Sequence, residues 1–324
     1  MSALERTWAL VLAGGGAEPP ELQDGLGCNP DGHQCGGLLQ PQSLLKMTLS
    51  RARVIVPRER IVLLVNGARE RDLSGSLKGL SYGDVIVQPR HRGSAVEILL
   101  AVLTILKRDP WARILALPAH HYVHDESALA GSLFDTATPT AQTRHKLTLV
   151  GIHPEDADSE FGFIVPGRWF EDGTRSVHRI VHSPGEVLAR ELRARGALWD
   201  SAIVAARAVV LLTVLRARVP NLVDQMEMAL VKGGDDSEAL AAALTQLYAR
   251  LPFVDFSRVL SQGGETECRV IASRHCGWSD LRTARRVDAV IRRLQSADTR
   301  GKAPGRIGHV ISPRVIPAPM KVEP

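Results

Sequence analysis

The sequence predicts an α/β fold built on a doubly wound, mostly parallel sheet, and three observations predict it. Several short apolar runs lack polar alternation, as strands buried on both faces do. They are interleaved with helical stretches in the order strand, helix, strand, strand, helix, strand. The first run, Trp8 to Ala13, ends in Gly14, Gly15 and Gly16. A buried strand meets a ligand-cradling loop in this way, because glycine lets backbone N–H groups approach a phosphate with no Cβ between them. An ordinary tight turn would carry the same glycines.

The elements follow in order. After a long Gly-, Pro-, Asp- and Gln-rich loop from Ala17 to Gln42, expected to be mobile without ligand, Ser43 to Arg53 reads as a helix with Leu44, Leu45 and Leu49 on one side. Arg60 to Asn66 and Asp84 to Gln88 read as buried strands. Ala95 to Lys107 is a helix closed by Asp109-Pro110, and Ala112 to Leu117 is a fourth strand. A weak helix at Ser127 to Thr136 precedes a strand at Leu147 to His153. Glu160 to Val165 and Val177 to Val181 extend the sheet. Helices are predicted at Pro184 to Arg195, Ala202 to Arg218, Leu222 to Lys232 and Ser237 to Arg250, then a strand at Cys268 to Ala272 and a basic helix at Thr283 to Leu294. The Leu- and Ala-rich helices at Val204 to Arg218 and Ser237 to Arg250 suit core packing or a homodimer face. Ligands of such sheets bind beyond the carboxyl ends of the strands, so the loops after Ala13, Gln88 and Leu117 are expected to converge on one site.

Composition narrows the function. A chain of 324 residues with 44% hydrophobic content can bury a large core. It has neither an 18-residue apolar run nor a basic-then-apolar start, so membrane and secretory classes are set aside and a cytoplasmic protein is expected. Cys28, Cys35, Cys268 and Cys276 lack zinc-cage spacing, although Cys28, His33 and Cys35 could form part of a metal knuckle. The net charge is +5, yet from Arg285 onward nine Lys or Arg stand against three Asp or Glu. The body is therefore close to neutral, which argues against nucleic acid as a partner. Residues 1–295 are read as one domain and 296–324 as a basic Pro/Gly-rich disordered tail.

The blocks LVLAGGG (Leu10 to Gly16), VIVQPRHRGSA (Val85 to Ala95), DPWARILALPAHH (Asp109 to His121), LVGIHPEDADSEFGFI (Leu149 to Ile164), GALWDSAI (Gly196 to Ile203), VDFSRVL (Val254 to Leu260) and CGWSDLRT (Cys276 to Thr283) occur in an order that resembles the sugar-phosphate nucleotidyltransferases, most closely their mannose-1-phosphate guanylyltransferase group. The resemblance implies a Rossmann-like, three-layer nucleotide-diphospho-sugar transferase fold. It also implies condensation of a nucleoside triphosphate, GTP favoured, with a sugar 1-phosphate, mannose 1-phosphate favoured, to give a nucleotide-sugar and pyrophosphate. Such chemistry needs cations, normally Mg²⁺ on carboxylates flanked by Arg and Lys, to hold the transition-state charge. By the same resemblance Ala13, Gly14, Gly15, Gly16, Gln88, Arg92, Gly93 and Ser94 would bind the nucleotide, Gly162 and Asp200 the sugar, and Asp280 with His120 the metal.

The chain departs from the family pattern where the chemistry lies. Gly16 runs on through Ala17 and Glu18 to Pro19, where the family has a triphosphate-binding Arg. Gly32-His33-Gln34 stands for Pro-Lys-Gln, and His182-Ser183-Pro184 for Glu-Lys-Pro. Trp199-Asp200 replaces Trp-Asn, and His120-His121 replaces Asp-His. Histidine favours transition metals over Mg²⁺. No residue is therefore singled out as catalytic. A silent relative that serves as a nucleotide- or sugar-binding subunit is the alternative function. The run His120, His121, His124 beside Asp125 would form a metal site if it were helical, or solvated histidines if it were a loop.

Overall fold

The computed structural model describes residues 4–15, 41–67 and 83–298. The long loop with Gly16, Pro19, Cys28, His33 and Cys35, and all but the start of the expected tail, lie outside these residues. In chain order the strands are β1 (Thr7–Leu12), β2 (Ile61–Asn66), β3 (Asp84–Gln88), β4 (Arg113–Pro118), β5 (His121–Tyr122), β6 (Leu147–Ile152), β7 (Phe163–Trp169), β8 (Arg175–Val181), β9 (Leu198–Arg207), β10 (Cys268–Ala272) and β11 (Ser279–Asp280). The α-helices are α1 (Pro41–Ile55), α2 (Ser94–Arg108), α3 (Glu126–Ala137), α4 (Glu186–Ala194), α5 (Ala208–Arg218), α6 (Pro220–Gly233), α7 (Ser237–Arg250), α8 (Phe256–Ser261) and α9 (Ala284–Asp298).

One nine-stranded sheet runs β3-β2-β1-β4-β9-β6-β10-β8-β7, with β7 also pairing β9. Its first four strands are parallel, as is the β6–β10 pair, while β9 lies antiparallel to β4, β6 and β7. The buried strands send alternate side chains to two cores. Leu10, Leu12, Val62 and Leu64 join α2, α5, α6 and α7 on one face. Ala9, Val11, Leu63 and Val65 join Leu45 and Leu49 of α1 and Leu129 and Leu133 of α3 on the other. This is the expected mostly parallel, three-layer α/β arrangement, and it explains why the strands carry no polar alternation.

The structure corrects two readings. Ala202 to Arg218 is not one helix: residues up to Arg207 belong to β9, and α5 begins at Ala208. The run Ile203 to Ala206 is apolar and Ala-rich, so a strand buried on both faces and a core helix look alike there. The β6–β9 register shifts between Leu149 and Gly151, and Ala202 takes φ 55°. Of the helix and the loop left open for His120 to His124, the helix does not form: His121 and Tyr122 make β5 and pair with β11. The last helix runs to Asp298, past the predicted start of the tail. A short helix absent from the sequence reading, α8, is capped by Asp255, whose carboxylate accepts from Arg258 N. Among the described residues no helix is long and apolar enough to cross a membrane.

Candidate functional site

A cleft of about 510 Å³ opens at the carboxyl ends of β1 and β4. Leu12, Ala13 and Gly15 end one strand into it, Pro118 to His120 end the other, and Ser94 and Glu97 reach it from the first turn of α2. Gly162, His182, Ser183 and Asp200 form the facing wall. Of the residues predicted to bind ligand, Ala13, Gly15, Ser94, Gly162, Asp200 and His120 therefore line one cavity. Gly16 lies outside the described residues.

Gly14, Gln88, Gly93 and Asp280 sit behind the surface, and Arg92 is half-buried. Gly14 is pressed on the side chains beneath it: a Cβ there would stand 2.3 Å from Gln88 Nε2 and 2.7 Å from Glu97 Oε1. Gln88 is fully buried and its amide donates to Glu97 Oε1 at 2.6 Å, an oxygen that also lies 2.8 Å from His91 Nδ1. Arg92 points its guanidinium at the carbonyl oxygens of Tyr248 and Ala249, at 2.9 and 3.4 Å. Gly93, at φ 95°, lets Val254 close in, since a Cβ would meet Val254 O at 2.2 Å. Arg92 and Gly93 thus join α2 to the segment before α8. Ser94 Oγ donates to Asp255 Oδ2 at 3.1 Å and accepts from Phe256 N at 2.9 Å.

On the facing wall Asp200 is tied into the backbone. Its Oδ2 accepts from Ser257 Oγ at 2.6 Å and its Oδ1 from Ala202 N at 2.9 Å. Ser183 and Ala202, both lining the cleft, are the non-glycine residues with positive φ among those described, at 38° and 55°. Strained backbone of this kind persists where the surroundings hold it, and it clusters at functional sites.

Asp280 is buried behind His120. Both its oxygens are taken by Arg282, with Nε at 3.0 and 2.8 Å and Nη2 at 2.6 Å, while His120 Nε2 lies 3.6 Å away. Burial pushes the Asp280 carboxyl up, but the neighbouring His120 and Arg282 outweigh it and hold it well below the usual carboxylate range. The Arg282 guanidinium is raised in turn, first by Asp280. His121 is 1% exposed, and burial followed by His120 pushes its pKa well below that of free histidine. It is neutral at pH 7, with its ring edge-on to Trp278 at 5.0 Å.

These donors do not fit Mg²⁺. That ion needs near-octahedral hard oxygen ligands. The group on offer is two imidazoles and one carboxylate already engaged by a guanidinium. Such a donor set gives Mg²⁺ no catalytic foothold at this corner of the cleft. Glu97, His91, Asp255 and Arg282 were not picked out in the sequence. Glu97 carries a signal, being a lone acid among Ala95, Val96, Ile98 and Leu99. The others carry none, since their roles come from contacts made across the fold.

The sheet, its flanking helices and the cleft beyond the strand ends define a three-layer α/β fold with a ligand-sized cavity at its carboxyl edge. The chain is similar to proteins of the mannose-1-phosphate guanylyltransferase group of sugar-phosphate nucleotidyltransferases. Mannose-1-phosphate guanylyltransferase 2 of Escherichia coli O157:H7 is 28% identical over 210 residues, 61% of this chain and 42% of that protein. Alginate biosynthesis protein AlgA of Pseudomonas syringae pv. tomato is 26% identical over 200 residues, 61% and 40% respectively. The chain thus spans about two fifths of the length of these curated relatives. A Thermus thermophilus structure, described as a mannose-1-phosphate geranyltransferase, superposes with TM-score 0.70 at 24% identity over 88% of this chain and 79% of its own, which shows a shared fold. No family model matches the chain.

Proposed function

We propose that the cleft binds a nucleoside triphosphate, GTP by preference, beside a sugar 1-phosphate, mannose 1-phosphate by preference, and joins them into a nucleotide-sugar with release of pyrophosphate at a very low rate. The observation that carries this reading is that Ala13, Gly15, Gly162 and Asp200 line one cavity at the carboxyl edge of the sheet. In this reading the glycine loop takes the nucleotide and the Gly162–Asp200 wall takes the sugar. The low rate follows from charge. Ser183 is neutral where the family pattern has a lysine, Asp200 adds a negative charge, and His120 replaces a carboxylate, so few cations meet the anions being joined.

A second reading, a silent nucleotide- or sugar-binding subunit, is favoured by the Arg282 clamp on Asp280, which occupies the carboxylate a reaction metal would use. Two measurements separate the readings. A thermal-shift panel of GTP, ATP, UTP and dTTP with sugar 1-phosphates should raise the melting temperature most for GTP with mannose 1-phosphate. Pyrophosphate release should then be detectable but below about 1 per second. Binding without any release supports the silent subunit, and no shift with any nucleotide overturns both readings.

A further inference from the structure

The mismatch between the Asp280 site and Mg²⁺ points to a different ion. His120, His121 and Asp280 each offer one donor atom, and the three atoms lie within 4.8 Å of one another. Local pairing brings them together: β4 ends at Pro118, the chain turns through His120, and β5 sets His121 opposite Asp280 on β11. Cross-strand partners project to the same side of a sheet, so this register fixes the convergence.

The two ring nitrogens give a second, independent observation. Nε2 of His121, a residue 1% exposed, has no hydrogen-bond partner among the described residues, and Nε2 of His120 reaches no nearer than 3.6 Å to the Asp280 carboxylate, beyond hydrogen-bond distance. A buried polar atom left without a partner calls for an explanation, and a bound ion is one of the few that serve. Trp278 packs edge-on against the His121 ring, and the main-chain carbonyl of His121 is held by Arg51 Nη2 at 3.1 Å, a guanidinium itself paired with Glu126.

We propose that His120, His121 and Asp280 form a site for a divalent transition-metal ion of the zinc, cobalt and nickel class, selected over magnesium. Neutral imidazole suits these borderline ions, and two imidazoles with one carboxylate is a donor set that zinc accepts. Three protein donors leave a position for water or for an anionic oxygen from the cleft, which His120 lines. Arg282 does not close the site. Its side chain is 63% exposed and can withdraw from one oxygen of Asp280 while its backbone N–H, 3.0 Å from Oδ1, remains.

The test reads metal binding directly, without substrate. The full chain, freed of metal with a chelator, is titrated with Co²⁺ and followed by its visible d–d absorption, and with Zn²⁺ by calorimetry. One equivalent should bind, a large excess of Mg²⁺ should leave the signal in place, and the strong near-ultraviolet band of a cobalt–thiolate bond should be lacking, which separates this site from the four cysteines. His120→Ala and Asp280→Asn should each weaken binding tenfold or more. His120 is half-buried, so its replacement leaves the packed His121 in place, and a thermal melt verifies that each variant is folded. Absence of binding, displacement by equimolar Mg²⁺, a thiolate band, or affinity unchanged in folded His120→Ala would each overturn the proposal.

Discussion

Gly14 holds the glycine-loop side of the cleft by being small. The contact distances leave no room for a methyl group between it and the Gln88–Glu97 pair. Gly14→Ala should therefore cost about 1–3 kcal/mol in urea unfolding, the usual range for overpacking, whereas Gly15→Ala, where nothing lies within 4 Å, should be close to neutral. Ala202 presents the opposite case, an L-residue held at positive φ. Ala202→Gly should be neutral or stabilising, and Ala202→Val should cost about 1–2 kcal/mol, because a β-branched side chain tolerates that backbone worst. A melt in which valine stabilised the chain would contradict this account. At this scale the sequence shows which residues are special but not what they touch. Gly14 was legible as a glycine a ligand loop needs, yet its closest neighbours are Gln88 and Glu97, seventy or more positions away. Arg92 was legible as a charge near the site, and in the fold that charge is aimed at the carbonyls of α7.

Helix starts are where single residues decide whole elements. Asp125 caps α3, with Oδ1 accepting from Ser127 N and Ala128 N, both at 3.0 Å. The Ala128 N–H, then the Ser127 hydroxyl, lower its pKa from the ordinary aspartate value. A carboxylate with a depressed folded-state pKa stabilises above the unfolded value and loses that contribution as pH falls through the folded one. Asp125→Ala should thus destabilise by about 1 kcal/mol at pH 7, and the difference from the natural chain should shrink below about pH 4. Guanidinium melts at the two pH values check both statements, and a gap that widened in acid would refute the second. The parallel strands and the long helices were legible because their apolar period is strong and sustained. β9 was not, because Ile203 to Ala206 fits either period and only its place between β4 and β6 makes it a strand. The β5–β11 pair was illegible for a different reason. Two residues carry no period at all, and their partner lies more than 150 positions along the chain.

At the scale of the molecule the scaffold and its chemistry separate. If, as proposed, turnover is slow because cationic groups and a metal-ligating carboxylate are missing, then Pro19→Arg, His33→Lys, His120→Asp and Ser183→Lys together should raise pyrophosphate release well above the natural chain, while each alone does little, since such groups act as a unit. A single replacement with the full effect would show that one group limits the rate. Fold class was legible from the order of elements, and the converging loops from the rule for open α/β sheets. The Arg282–Asp280 pairing was not, because it depends on a side chain two residues along choosing the carboxylate over solvent. The position of β9 also governs how the chain can assemble. The sheet's midline is formed by residues 198–207, which pair with 113–118 on one side and 147–152 on the other. During synthesis the first four strands can zip into a parallel half-sheet, but the exposed edge of β4 then waits for some eighty residues to emerge before it is covered. Through that interval a nascent chain carries a six-residue, largely apolar strand edge open to any extended neighbour.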